Sequence, residues 1–225
     1  MQIEIGFRPS QSMAHVMLQP GESVMAESGA MVGMSTNVNM QTSSGGMMSG
    51  LKRMFGGESF FRNTFTATGG PGEVYFATPL CGDMITLPMT QNGYFVQSSS
   101  YVASSPQINV ETKVGGFKSF FAGEGVFVLK ATSQSPNDQL IVGAFGGIQE
   151  LQCDGRIVID TGHLVAWDAN LQYKVTKSGS GWINSFLSGE GLVCDFEGQG
   201  RIWIQTRNPV EYGTSIGRLL PPRQG

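Results

Sequence analysis

Short runs of alternating apolar and polar residues recur along the whole chain. Ser23-Val24-Met25-Ala26-Glu27, Glu73-Val74-Tyr75-Phe76-Ala77, Arg156-Ile157-Val158-Ile159-Asp160 and Arg201-Ile202-Trp203-Ile204-Gln205 show the pattern. Successive side chains of a strand point to opposite faces, so a period of two in segments rich in Val, Ile, Phe and Tyr predicts strands with one buried face. The fold class expected is all-β.

The runs are organised as a repeat. Phe55-Gly56-Gly57-Glu58-Ser59-Phe60-Phe61 is matched by Phe121-Ala122-Gly123-Glu124-Gly125-Val126-Phe127 and by Leu187-Ser188-Gly189-Glu190-Gly191-Leu192-Val193, with Glu58, Glu124 and Glu190 separated by 66 residues each time. Turn signals keep step with them: Pro20-Gly21, Asn92-Gly93 and Asp154-Gly155 each follow one apolar strand and lead into another, which predicts a hairpin in each copy. Two ordered landmarks divide residues 1–225 into three modules of one domain, at about 1–80, 81–146 and 147–225.

A third match precedes each glutamate. Leu51/Met54/Phe55, Phe117/Phe120/Phe121 and Ile183/Phe186/Leu187 are spaced i, i+3, i+4, which is helical spacing, and glycines precede every triplet. A short helical turn within a loop of each module is expected. Two readings stand for these triplets: a plug over an open end of the module, or a contact surface for a partner or a bilayer.

Composition narrows the classes. Charged residues are 14% of the chain, glycine accounts for 32 of 225 residues, and a formal charge of −3 supplies no basic field for phosphate backbones or anionic lipid. Nucleic-acid binding is not expected, and membrane association has no support from charge. Cys81, Cys153 and Cys194 are odd in number and widely separated, so they read as free thiols of a reducing compartment. The first residues show neither a signal-peptide pattern nor a long apolar stretch, so the expected location is cytoplasmic.

The third module, from Gly147-Ile148-Gln149-Glu150-Leu151 through Asp160-Thr161-Gly162-His163-Leu164-Val165-Ala166-Trp167, together with the Gly-Glu-Gly repeat and Ile202-Trp203-Ile204-Gln205-Thr206-Arg207, resembles the altered-inheritance-of-mitochondria protein family. Bacterial members of that family were long grouped as a domain of unknown function. The resemblance implies a TRAP-like fold, similar to the tryptophan RNA-binding attenuation protein: β-sandwich modules of double-stranded β-helix type about a pseudo-threefold axis, and assembly into homo-oligomers. It supplies no catalytic residues. Mitochondrial relatives are tied to inner-membrane organisation, a role not carried over to a chain that begins without a transit-peptide pattern.

Candidate chemistry is sparse. His15 and His163 are the only histidines and neither lies near a cysteine in sequence, so no zinc site is expected. Ala30 and Tyr101 fall roughly where His163 falls in the other modules, which favours a packing role for it. Gly213-Thr214-Ser215-Ile216-Gly217 matches a nucleophile elbow, but no His, Asp or Glu follows to complete a triad. The glycine-rich stretches at 69–72 and 143–147 lack the Gly-Lys-Ser/Thr of a phosphate loop. Lys52-Arg53, Lys113 and Lys118 form no repeating basic stripe beside aromatics, so RNA binding is not carried over from the fold's namesake. Glu58, Glu124 and Glu190 read as turn residues whose carboxylates accept amide hydrogen bonds; the alternative places all three on an axis around a cation. The expectation is a non-enzymatic scaffold or interaction protein that self-associates, with no cofactor and an unidentified protein partner. Its rivals are a small-ligand or metal-ion binding protein and a peripheral membrane protein.

Overall fold

The structure, a computed structural model, describes residues 1–43, 62–112, 127–177 and 192–221. The first module holds β1 (Gln2–Gly6), β2 (Met13–Leu18), β3 (Ser23–Glu27), β4 (Met31–Met34), β5 (Val38–Ser43), β6 (Arg62–Ala67) and β7 (Gly72–Ala77). The second holds β8 (Met84–Pro88), β9 (Tyr94–Gln97), β10 (Tyr101–Ser104), β11 (Asn109–Thr112), β12 (Val128–Thr132) and β13 (Gln139–Gly143). The third holds β14 (Ile148–Asp160), β15 (Leu164–Asp168), β16 (Gln172–Lys177) and β17 (Leu192–Gln205), followed by one helix, α1 (Pro209–Gly217). All four runs singled out in the sequence are strands, in β3, β7, β14 and β17, and the fold is all-β.

One antiparallel pairing scheme serves every module. In the first, β2 and β4 flank β7 while β3 and β5 flank β6. In the second, β8 and β10 flank β13 while β9 and β11 flank β12. In the third, the long strand β17 serves both layers, with β14 along one side and β15 and β16 along the other. Each module is therefore two layers built on three strands apiece, with β1 added beside β2 in the first, and alternating side chains are buried between them, as the every-other-residue burial of β2, β3 and β6 shows.

The expected hairpins at the three turn signals are not formed. β2 pairs with β7 and β3 with β6, so Pro20-Gly21 carries the chain from one layer to the other. Asn92-Gly93 does the same between β8 and β9. Asp154-Gly155 makes no turn at all: it lies inside β14, with Gly155 opposite Gly198 at φ of 107° and 122°, so both strands of the ladder bend together and change layer unbroken. A turn signal marks where the chain bends; it does not say which strand the next one pairs with.

Modules are joined edge to edge. β3 of the first pairs with β10 of the second, Ala26 opposite Ala103 and Met25 opposite Ser104. β9 of the second pairs with β15 of the third, Val96 opposite Ala166 and Phe95 opposite Trp167. The cores cross these junctions: Val102, Ala103 and Ile141 of the second module pack into the core around Phe65 and Phe76 of the first. Val165, Ala166 and Trp203 of the third pack into the core around Tyr94 and Leu129 of the second. Aromatic pairs hold these cores edge-to-face, with ring centroids 5.3 Å apart for Phe65 and Phe76 and 5.6 Å for Tyr94 and Trp203.

Candidate self-association surface

The repeat makes corresponding positions identifiable from the ladders. Each first-layer edge strand carries a bulge at the same step, between Met31 and Gly33, between Tyr101 and Ala103, and between Leu164 and Ala166. Val32, Val102 and Val165 therefore correspond, as do Gly33, Ala103 and Ala166. Tyr75, Ile141 and Trp203 correspond as the residues opposite them. On the other side of the junction Met25, Phe95 and Val158 correspond, each two residues before the end of its strand or strand segment.

Equivalent residues differ in exposure according to whether a junction covers them. Tyr101, Val102, Ala103 and Ser104 are buried, as are Leu164, Val165, Ala166 and Trp167. Met31, Val32 and Met34 are 36%, 59% and 38% exposed. Phe95 is buried and Met25 half-buried, whereas Val158 at the matching place is 54% exposed. β4 and β14 lie at sheet edges and do not pair with each other. One chain thus forms two junctions and, among the described residues, leaves the matching edges β4 and β14 without a strand partner on their outer sides.

Side chains around the formed junctions fix their geometry. Asp168 accepts from the Arg201 backbone N–H at 2.8 Å and from its Nε and Nη2 at 3.1 and 3.0 Å, while the Arg201 guanidinium lies 4.9 Å above the Trp203 ring. The hydrogen bonds to Asp168 raise the Arg201 pKa further above its ordinary value. In the first module Glu27 ends β3 at the rim of a cavity of about 430 Å³, which Ser28, Met31, Val32, Thr78 and Val102 also line. Burial pushes the Glu27 carboxyl up to about 7.

The residues singled out from sequence as contact surface and turn residues, Leu51, Met54, Phe55, Phe117, Phe120, Phe121, Ile183, Phe186, Leu187, Glu58, Glu124 and Glu190, lie outside the described residues. Their segments do join the same strand pair in every module, β5 to β6, β11 to β12 and β16 to β17. His163 Nδ1 lies 2.7 Å from the Gln205 carbonyl oxygen, a packing role, and its counterpart in the second module is Ser100 rather than Tyr101, because each closes the three-residue helical turn, 98–100 or 161–163, that leads into β10 or β15. His15 stacks on Tyr75 at 4.5 Å with Nε2 3.3 Å from Glu73. Ser215 sits on α1 and not at a strand-to-helix turn. Burial raises the Cys153 thiol and pushes that of Cys194 up to about 12, so neither is a nucleophile at neutral pH. Among the described residues no three His, Cys, Asp or Glu side chains group as metal ligands, and no helix is long and apolar enough to cross a membrane.

Sequence reasoning missed α1 and the paired strand edges. The helix had a readable signal in Asn208-Pro209: the Asn208 side chain accepts from the N–H groups of Val210 and Glu211 at 3.0 and 3.4 Å, and proline takes the first helical position. The edges had none, because β4 and β14 are unremarkable apolar segments until their counterparts are seen buried.

Fold and surface together define an all-β repeat protein whose modules join by strand edges. The chain belongs to the Mitochondrial biogenesis AIM24 family, whose family model matches residues 3–207. It is similar to an uncharacterised protein of Streptococcus pyogenes serotype M6, 30% identical over 220 residues that cover 93% of this chain and 87% of that protein. It is also similar to a crystal structure of a Streptococcus pyogenes protein solved by a structural genomics consortium. That structure has a TM-score of 0.81 and 26% identity, and the match covers 97% of this chain and 99% of the other.

Proposed function

We propose that this protein is a non-enzymatic scaffold that self-associates by adding the third junction its repeat defines, β14 of one copy against β4 of the next. The observation that carries the reading concerns the cores. The first two each take in a matched set from the following module, Val102, Ala103 and Ile141 in one case and Val165, Ala166 and Trp203 in the other. The third core, around Trp167, Phe196 and Ile202, takes in no such matched set among the described residues. Val32, Gly33 and Tyr75, the matching set, stand on the first module with Val32 most exposed. By the register of the formed junctions, Val158 of one copy faces Met34 of the next and Ile159 faces Gly33.

Such an interface joins different surfaces of identical chains. It closes into a ring if the rotation allows and otherwise propagates as a filament. Unpaired strand edges bearing apolar residues are a liability unless something covers them, and a second copy supplies both the backbone partners and the apolar surface. A TRAP-like arrangement, with modules side by side around a ring, is the form this reading favours. The free thiols of Cys81, Cys153 and Cys194 support a cytoplasmic setting.

Sedimentation velocity tests the reading. The wild-type chain should sediment well above its 24.1 kDa monomer, and Val158→Glu and Val32→Glu should each sediment smaller. An equimolar mixture of the two variants should give dimers, because each retains the half-junction the other has lost. A monomeric wild type, or a mixture in which no dimer forms, would sink the proposal.

A further inference from the structure

The segments that lead from one module to the next lie side by side. The first, residues 78–83, follows β7 and enters β8; the second, residues 144–147, follows β13 and enters β14. Asp83 donates its N–H to the Gly146 carbonyl at 2.7 Å and Gly146 donates to Cys81 at 3.1 Å, with Gly82 and Gly146 in a parallel bridge. The row extends in both directions. On one side the N-terminal loop, residues 7–12, joins it through the Ser12 N–H and the Gly82 carbonyl at 2.9 Å, and Arg8 and Ser12 bind Asp83. On the other, Thr206 donates to Gly147 at 3.0 Å and Arg207 to Phe145 at 3.3 Å.

Residues 206–208 therefore leave the third module as 78–83 leave the first, and they run into α1 instead of another module. The loop at 7–12 enters β2 as a connector enters β8 or β14, and it follows β1. At a junction between copies that repeated those within the chain, these two half-connectors would occupy one place. Each carries exposed apolar residues beside polar ones, Phe7 at the start of the loop and Ile216 and Leu219 in and just after the helix. No residue of α1 is buried: Tyr212 meets Phe145 edge-on at 5.0 Å, while Ile216 is 40% exposed and Leu219, just past the helix end, 81%. Phe7 is 71% exposed, and it is held at φ 59°, a conformation an aromatic residue seldom adopts without reason.

We propose that α1 of one copy and the turn that follows it pack on the 7–12 loop of the next, with Ile216 and Leu219 against Phe7, and so act as a clasp over each junction between copies. The inference rests on the self-association reading above and names the second contact in it. The helix supplies what the covalent connectors supply inside the chain, a tie between neighbouring modules beside the paired edges. Its remaining apolar face matches in kind the one exposed aromatic of the loop.

Site-directed cross-linking tests the clasp. In a Cys81→Ser background, which removes the exposed native thiol, one preparation carries Phe7→Cys and a second carries Ile216→Cys. Mild oxidation of the mixture should give a covalent dimer that neither preparation gives alone. Adding Val158→Glu to the Ile216→Cys chain and Val32→Glu to the Phe7→Cys chain should abolish it. Separately, the pair Ile216→Glu and Leu219→Glu should weaken self-association about tenfold, as loss of a small apolar anchor does. Assembled chains that fail to cross-link, or an unchanged dissociation constant in the glutamate pair, overturn the clasp while leaving the strand junction standing. Cross-linking that survives the Val158 and Val32 changes overturns it too, by placing the helix elsewhere. Wild-type chains that stay monomeric overturn both.

Discussion

Glu27 and Gln97 occupy one place in two successive modules: each is the last residue of the strand, β3 or β9, that pairs across a junction, and each precedes the crossing to the next layer. Gln97 is buried without a charge. Glu27 pays for its carboxylate with a pKa raised to about 7 by burial, from an ordinary value of 4.5.

Stability should therefore depend on pH through this residue. Below about pH 4.5 the carboxyl is protonated in folded and unfolded chains alike, and its contribution is fully present. Between that value and about 7 the unfolded chain ionises while the folded one keeps its proton, so stability is lost as pH rises. Glu27→Gln installs the second module's solution. Thermal melts from pH 4 to 8 should show a flatter profile for the variant and a higher Tm than wild type at pH 8. Parallel profiles would show that burial of Glu27 does not govern this region.

Asp168 and Arg201 lock the second junction from the third module. Asp168 is 8% exposed and accepts three hydrogen bonds from one arginine, including its backbone N–H. Asp168→Ala should cost about 2 kcal/mol, discounted because the arginine is partly solvated. Arg201→Lys should recover little of the interaction, since an ammonium cannot supply the planar fork or stack on Trp203 in the same way. Urea unfolding with an unchanged m-value would report both effects.

Gly82 and Gly213 should respond in opposite senses to alanine. A Cβ on Gly82 would stand 1.8 Å from the Ala144 carbonyl oxygen, where the two connectors touch. Only movement of backbone relieves that, and Gly82→Ala should destabilise by about 2 kcal/mol. A Cβ on Gly213, inside α1, would meet nothing within 4 Å. Gly213→Ala should stiffen the helix by about 0.5–1 kcal/mol, read as slower amide exchange in α1.

Strand identity and the threefold recurrence were legible because burial between two layers writes a period of two into Val24, Ala26, Val74 and Phe76, and their counterparts repeat it. Pairing was not legible. Pro20-Gly21 and Asn92-Gly93 look like hairpin turns since local chemistry is the same whether the next strand returns beside the last or crosses to another layer. Asp154-Gly155 shows the limit of the signal, for Gly155 and Gly198 use positive φ to bend a ladder that stays intact. The candidate surface was hidden for a further reason. Val32 and Val158 read as ordinary strand residues, and only comparison with buried Val102, Val165 and Phe95 singles out their exposure.

Gly33 offers the sharpest check on that comparison. Its counterparts Ala103 and Ala166 face Ala26 and Val96 across the two formed junctions. A Cβ at Gly33 would meet nothing within 4 Å in the single chain, and its φ lies outside the left-handed region. Gly33→Ala should therefore be accepted without strain and stabilise the monomer by about 0.5 kcal/mol through the lower entropy of the unfolded chain. If β4 meets β14 of another copy in the register of the formed junctions, the new methyl group faces Ile159 as Ala166 faces Val96. Self-association measured by dilution should then tighten, or at least hold. A variant that melts higher yet dissociates more readily would mean that the backbones at Gly33 approach more closely than at Ala103 and Ala166, so the junction between copies would not copy those within the chain.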